Sequence, residues 1–214
     1  MTPRRIAATV LAIAALTLAG CAGGPVPPDW QADAHGALEA FSAAYLTGNR
    51  RVAEAEFGRA RAELARTGRA DLVARAELVR CGVRVASLEF DDCPGYAPLA
   101  ADASPAEQAY ADFLTNRPAM AALLPAHYRG LGAASALTSI DAPLPRLIAA
   151  GVLFRRGEIS PAGIQTAVDT ASAEGWRRPL LAWLGVQEKR AESSGEKAQA
   201  AALRRRIELV GGAR

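Results

Sequence analysis

The sequence predicts an all-α domain of stacked antiparallel helical hairpins, and three observations carry that expectation. Alanine supplies much of the 50% hydrophobic fraction, while aromatics make up only 6%. Alanine is the best helix former and buries little area per residue, so such a chain favours closely packed helices over a thick aromatic core. Apolar residues recur at helical spacing through segments of about 12–18 residues. The breaks between segments are two or three residues built on glycine, as at Thr47-Gly48-Asn49 and Ser194-Gly195. Breaks that short set neighbouring helices antiparallel.

Before this domain comes an export signal. Arg4 and Arg5 form a positive n-region, and Ile6 to Leu18 follows with no charge across 13 residues. That is the length of a signal-peptide h-region. It falls short of the roughly 20 residues needed to span a bilayer core of ~30 Å. Leu18-Ala19-Gly20-Cys21 comes next. This stretch resembles the lipobox of bacterial lipoproteins at every position. The resemblance implies cleavage after Gly20, diacylglycerol on the Cys21 sulfur, and acylation of the new amine. Residues 1–20 would then be a cleaved signal peptide and Cys21 the lipid-attachment site. Two acyl chains already hold a protein firmly on a membrane, and a mature lipoprotein carries three. Residue 22 is Ala rather than Asp. In the enterobacterial sorting pattern Asp there retains a lipoprotein in the inner membrane, so the expected location is the periplasmic face of the outer membrane.

Residues 21–30 hold the lipidated cysteine and a Gly/Pro tether, AGGPVPPD. At ~3 Å per residue the tether reaches about 25 Å, which keeps the domain close to the lipid. The helical domain occupies 31–210. Its first helix is expected from about Gln31 to Leu46, with Leu38, Phe41 and Tyr45 on one face. The second runs from about Arg50 to Arg66 with Ala53, Phe57, Ala60 and Leu64 on one face, and the third from Ala70 to about Arg80. Gly82 to Pro98 breaks the pattern: VRVASLEF suits a short strand or a helix end, and DDCPGY is a turn by its Pro-Gly. An irregular, disulfide-stapled loop is expected there. Ser104-Pro105-Ala106-Glu107 carries a helix start: Ser at N-cap, Pro at N1 and Glu at N3. That helix runs to about Thr115, and a short one is expected over Ala119 to Leu131. Gly130, Gly132, Pro143 and Pro145 mark an internal joint at 130–145. Four further helices follow, at Leu144–Arg156, from Ser160-Pro161 to Glu174, Trp176–Ser193 and Glu196–Val210.

The stretch from Tyr45 to Leu64 resembles the tetratricopeptide repeat. Gly48 and Asn49 match its turn, Ala53 its small residue, and Phe57 and Ala60 its aromatic and small positions. It departs from the pattern at Ala37, where Trp is expected, at Phe41, where Gly is, and at Ala65, where the repeat closes on Pro. FRRGEISPAG and SSGEKAQAAA echo the turn more faintly, and a strict 34-residue period is absent. The resemblance implies a TPR-like α-solenoid with one recognisable unit and two degenerate ones.

Cys81 and Cys93 are the remaining cysteines. An even pair in an oxidising compartment reads as a disulfide. The rival reading is two free or metal-binding thiols, but with only His35 and His127 elsewhere no metal-ligand spacing emerges. Removal of the signal's two arginines leaves 23 Lys and Arg against 22 Asp and Glu. Such a balance gives no electrostatic case for nucleic acid.

No nucleophile elbow, zinc helix, P-loop or dinucleotide-binding glycine pattern is present. Gly132-Ala133-Ala134-Ser135-Ala136 is not an elbow. His35 and His127 read as surface or capping residues. Glu89, Asp91 and Asp92 form the one tight acidic group, and they read as solvated carboxylates of a turn. Arg50-Arg51, Arg155-Arg156, Arg177-Arg178 and Arg204 to Arg206 read as solvated helix ends. No catalytic residue, metal or cofactor is therefore assigned. The expected function is a non-enzymatic, membrane-anchored envelope adaptor that binds a protein or peptide partner. The alternatives are an envelope enzyme built from scattered carboxylates and a purely structural lipoprotein.

Overall fold

The computed structural model describes residues 28–132 and 137–212. The signal segment, Cys21 and Ser135 lie outside them. Among the described residues the fold is all-helical. The helices are α1 (Asp29–Thr47), α2 (Arg50–Ala65), α3 (Ala70–Ala86), α4 (Pro105–Leu114), α5 (Pro143–Arg156), α6 (Pro161–Ala173), α7 (Arg177–Ser193) and α8 (Lys197–Gly212). Short 3-10 turns lie between α3 and α5. No helix of the described residues is long and apolar enough to cross a membrane.

One turn recurs. Gly48 adopts φ +91° at the end of α1, and the amide of Asn49 donates to the Ala44 carbonyl at 2.8 Å. This six-to-one bond satisfies a carbonyl that the helix end would leave orphaned. Asn49 then caps α2 by accepting from the Val52 amide. Gly157, Gly175 and Gly195 are also left-handed, and each is followed by the same bond: Glu158 to Leu153, Trp176 to Ala171 and Glu196 to Ala191. Two of these glycines lie in the segments that echo the tetratricopeptide turn. The hairpin packing around the first turn is also as expected: Phe41 and Phe57 are buried with ring centroids 5.0 Å apart, and Ala53 and Ala60 are buried beside them.

Helix α3 is the hub. It packs on α1, α2, α4 and α5, and contributes residues to both apolar clusters. One cluster gathers Phe41 and Phe57 of the first hairpin with Val83 of α3. The larger gathers Cys81 and Val85 of α3, Phe113 and Leu114 of α4, Leu147 and Val152 of α5, and Trp183 and Leu184 of α7. It also takes in Leu137 and Ile140, with Leu131 and Leu144 packed against it. Helix α1 also meets α7 near the other end of the chain, a contact that a linear stack of hairpins lacks.

The end of α3 shows how the halves are joined. All of its last carbonyls find donors. Ser87 Oγ donates to Val83, the amides of Ser87 and Glu89 to Arg84, the amide of Leu88 to Val85, and the Trp183 indole Nε1 to Ala86 at 3.2 Å. Trp183 is fully buried, so its N–H needed a partner as much as the helix end did.

One open reading is decided and one expectation changes. Of the two readings of VRVASLEF, the helix end holds for VRVA: Val83, Val85 and Ala86 continue α3 to Ala86 and are buried, because packing on the neighbouring helices outweighs the weak helix propensity of valine. The expected helix over Ala119 to Leu131 is replaced by 3-10 turns at Ala121–Leu123 and Ala126–Tyr128. Pro125 removes a backbone donor and holds Leu124 extended at ψ 153°, which stops any continuous helix. The capping box of α4 forms as expected, with the Ser104 hydroxyl accepting from the Glu107 amide and the Glu107 carboxylate accepting from the Ser104 amide.

Candidate functional site

The disulfide joins Cys81 on α3 to Cys93, with Cα atoms 5.4 Å apart. It staples the loop that runs from Ser87 to Tyr96. Leu88, Asp92 and Cys93 all take positive φ there, a conformation that costs an L-residue without glycine's freedom. Surrounding contacts hold them in it. Glu89 pairs with Arg178 of α7 at 3.1 Å, Asp91 with Arg84 of α3 at 3.2 Å, and Asp92 with Arg155 of α5 at 2.7 Å.

This corrects the expectation of solvated turn carboxylates for Glu89 and Asp91, which are partly buried, while Asp92 is exposed as expected. Each acid is nonetheless held by an arginine of a different helix. Arg155 and Arg178 are likewise not solvated helix ends: both side chains are about three-quarters buried. Arg178 also donates from Nε to the Tyr45 carbonyl at 2.9 Å and lies 4.3 Å over the Tyr45 ring. The Tyr45 hydroxyl is pushed well above its ordinary pKa by burial and by the nearby Glu89 carboxylate. Arg155 reaches the Leu114 carbonyl and covers the Phe90 ring. The signal missing from the sequence was the partner, since Arg178 and Glu89 stand 89 positions apart.

The histidines are peripheral. His35 is exposed beside Glu39 at 3.3 Å, and His127 is exposed with its ring edge-on to Tyr128. Among the described residues no group of three or more His, Cys, Asp or Glu is placed to hold a metal ion. Tyr110, Phe113 and Tyr128 form an aromatic group whose rings lie 4.7–6.2 Å apart. Burial pushes the Tyr110 hydroxyl up to about 12, against the pull of its hydrogen bond with Tyr128, and raises Tyr128 further.

The surface feature best suited to binding is a groove of about 720 Å³ along α7. Leu88 and Phe154 form one end, Leu181, Ala182, Gly185 and Val186 the floor, and Ser193 and Ser194 the other end. From Leu181 to Ser194 it follows about 20 Å of helix axis. A Cβ at Gly185 would meet nothing within 4 Å, so the groove is open above that position. Its two charged lining residues, Lys189 and Arg190, are exposed, and neither side chain has a partner among the described residues. The stapled loop contributes Ser87 and Leu88 to the lining of this groove. Apolar lining with a few convergent charges is the composition of a ligand or peptide site. No protein-family model matches the chain, and neither a curated protein nor a solved structure does.

Proposed function

We propose that this protein is a lipid-anchored envelope adaptor, exported by residues 1–20 and held at the periplasmic face of the outer membrane through Cys21. It does no chemistry of its own. Its helical hairpins present a groove in which a partner protein lays a short apolar segment. The observation that carries this reading is the α7 groove, apolar along its floor and flanked by Lys189 and Arg190, two exposed cations with no side-chain partner among the described residues. Charge complementarity then favours a segment bearing a carboxylate next to its apolar face. The envelope-enzyme alternative draws no support from Glu89, Asp91 and Asp92, because arginines engage all three. The test is site-specific photocrosslinking from position 186 in intact cells, followed by sequencing of the joined peptides. The adaptor reading expects peptides from one envelope protein, apolar with an acidic flank. Adducts to lipid alone, or none above background, contradict it.

A further inference from the structure

A second apolar groove, of about 410 Å³, lies at the end of the first hairpin where the described chain begins. It is formed where the start of α1, the end of α2 and the start of α3 come together. Its lining includes Trp30, Ala34, Leu38, Leu64, Leu72 and Ala76. Two charged or titratable groups reach it, and both are already engaged: His35 stands 3.3 Å from Glu39, and Arg75 pairs with Glu107 at 2.8 Å. The groove therefore offers apolar contact and no ion waiting for a counter-ion. The outermost unit of a helical stack ordinarily carries a polar outer face. Here α1 leaves Trp30 and Leu38 only half-buried on that end.

Chain length indicates what covers it. Trp30 follows Cys21 by nine residues. Even fully extended, nine residues span no more than about 30 Å. The groove is thus the apolar surface tied nearest in sequence to the lipid. Trp is also the residue that settles at the headgroup level, where an amphipathic ring has one side apolar and one side wet. We propose that this groove is the face by which the domain rests on the bilayer, with Trp30 at the interface. The inference rests on the reading of Cys21 as the lipid anchor. Docking there would hold the domain in one orientation, where the tether alone would leave it free to turn.

The experiment uses the full lipidated protein on phosphatidylcholine vesicles, with and without bromine on the upper acyl carbons. Vesicle flotation is measured in parallel. Of the three tryptophans, Trp183 is fully buried and serves as an unquenched reference. Bromine should lower the emission by up to about one third, and Trp30→Phe should abolish that loss while the protein still floats and keeps its melting curve. Leu72→Glu should weaken the quenching without preventing flotation. Flotation without bromine quenching overturns the docking face, and so does quenching that survives Trp30→Phe. Failure of the lipidated fraction to float overturns the anchor, and the docking face with it.

Discussion

The backbone carbonyl of Val85 lies so close to Gly151 that a Cβ at position 151 would sit 2.3 Å from its oxygen. Helices α3 and α5 meet closely at this point, with the carbonyl and the Cγ1 of Val85 both against Gly151. A rigid backbone atom cannot step aside as the tip of a side chain can. Gly151→Ala must therefore push the helices apart in the middle of the larger core. The expected cost is about 1–3 kcal/mol, the range for overpacking a filled interior, although alanine is the better helix former. Urea denaturation of the two proteins measures it. An unchanged or raised midpoint would mean that α3 and α5 do not meet closely here.

The disulfide should be formed and should matter. Replacing Cys81 and Cys93 with serine frees the loop from Ser87 to Tyr96. The chain-entropy model gives a cost of about 3 kcal/mol for a loop of this length. Because three residues of the loop hold left-handed backbone, the loss should first be visible as increased hydrogen exchange at Leu88 to Cys93. Alkylation of native, unreduced protein provides the check on pairing. Rapid modification of both cysteines would contradict it.

Arg178 should be worth more than an ordinary surface arginine. Arg178→Met keeps an apolar stem over Tyr45 but removes the donors to the Tyr45 carbonyl and to Glu89. A charge-assisted bond of this kind contributes about 1.5–3 kcal/mol when lost from a mostly buried site. Glu89→Gln should also destabilise, and the double variant should lose less than the sum of the two. Strictly additive losses in a thermal-melt cycle would mean that the two residues do not interact.

Much of this fold was legible in the chain. The left-handed glycines at Gly48, Gly157 and Gly195 stood where helical periodicity lapsed, and Ser104 to Glu107 announced its own capping box. These are local signals, each complete within six residues. The contacts that join the halves are not local. The Trp183 indole finds Ala86 across 97 positions, and nothing near either residue specifies the other. The same blindness made Glu89 and Asp91 read as solvated, and hid the arginine partner of the exposed Asp92. The α7 groove was hidden for a related reason: its floor of Leu181, Ala182, Gly185 and Val186 looks in sequence like any half-buried helix face.

Alkaline pH should unfold the protein through its tyrosines. Burial leads the causes that raise all four, Tyr45, Tyr96, Tyr110 and Tyr128, above their ordinary value of 10.0, and it takes Tyr110 to about 12. An unfolded chain loses these protons near pH 10 and the folded one later. The stability they support is therefore complete below pH 10 and declines as pH rises through 12 and beyond. Absorbance at 295 nm should show little phenolate at pH 10.5, followed by ionisation that coincides with loss of helical circular dichroism. Full ionisation at pH 10.5 with the helix signal intact would contradict the burial of these rings.

The lipid anchor is tested at Cys21. Metabolic labelling with a palmitate analogue should mark the wild type, and Cys21→Ala should abolish the label and leave uncleaved or soluble protein. Equal labelling of the two would remove the anchor from the account.

The central claim, that the α7 groove receives a partner, is tested most directly at Gly185. A Cβ there meets nothing within 4 Å, so Gly185→Leu fills the groove without disturbing the fold. It should raise helix stability by up to about 1 kcal/mol, the propensity difference between the two residues. The measurement is photocrosslinking from position 186 in cells lacking the native protein, comparing this variant with the parent, with melting temperatures taken alongside. The account predicts that Gly185→Leu melts at or above the parent's temperature and loses the crosslinked partner. A variant that melts normally and crosslinks the same partner at full yield would show that nothing binds in this groove.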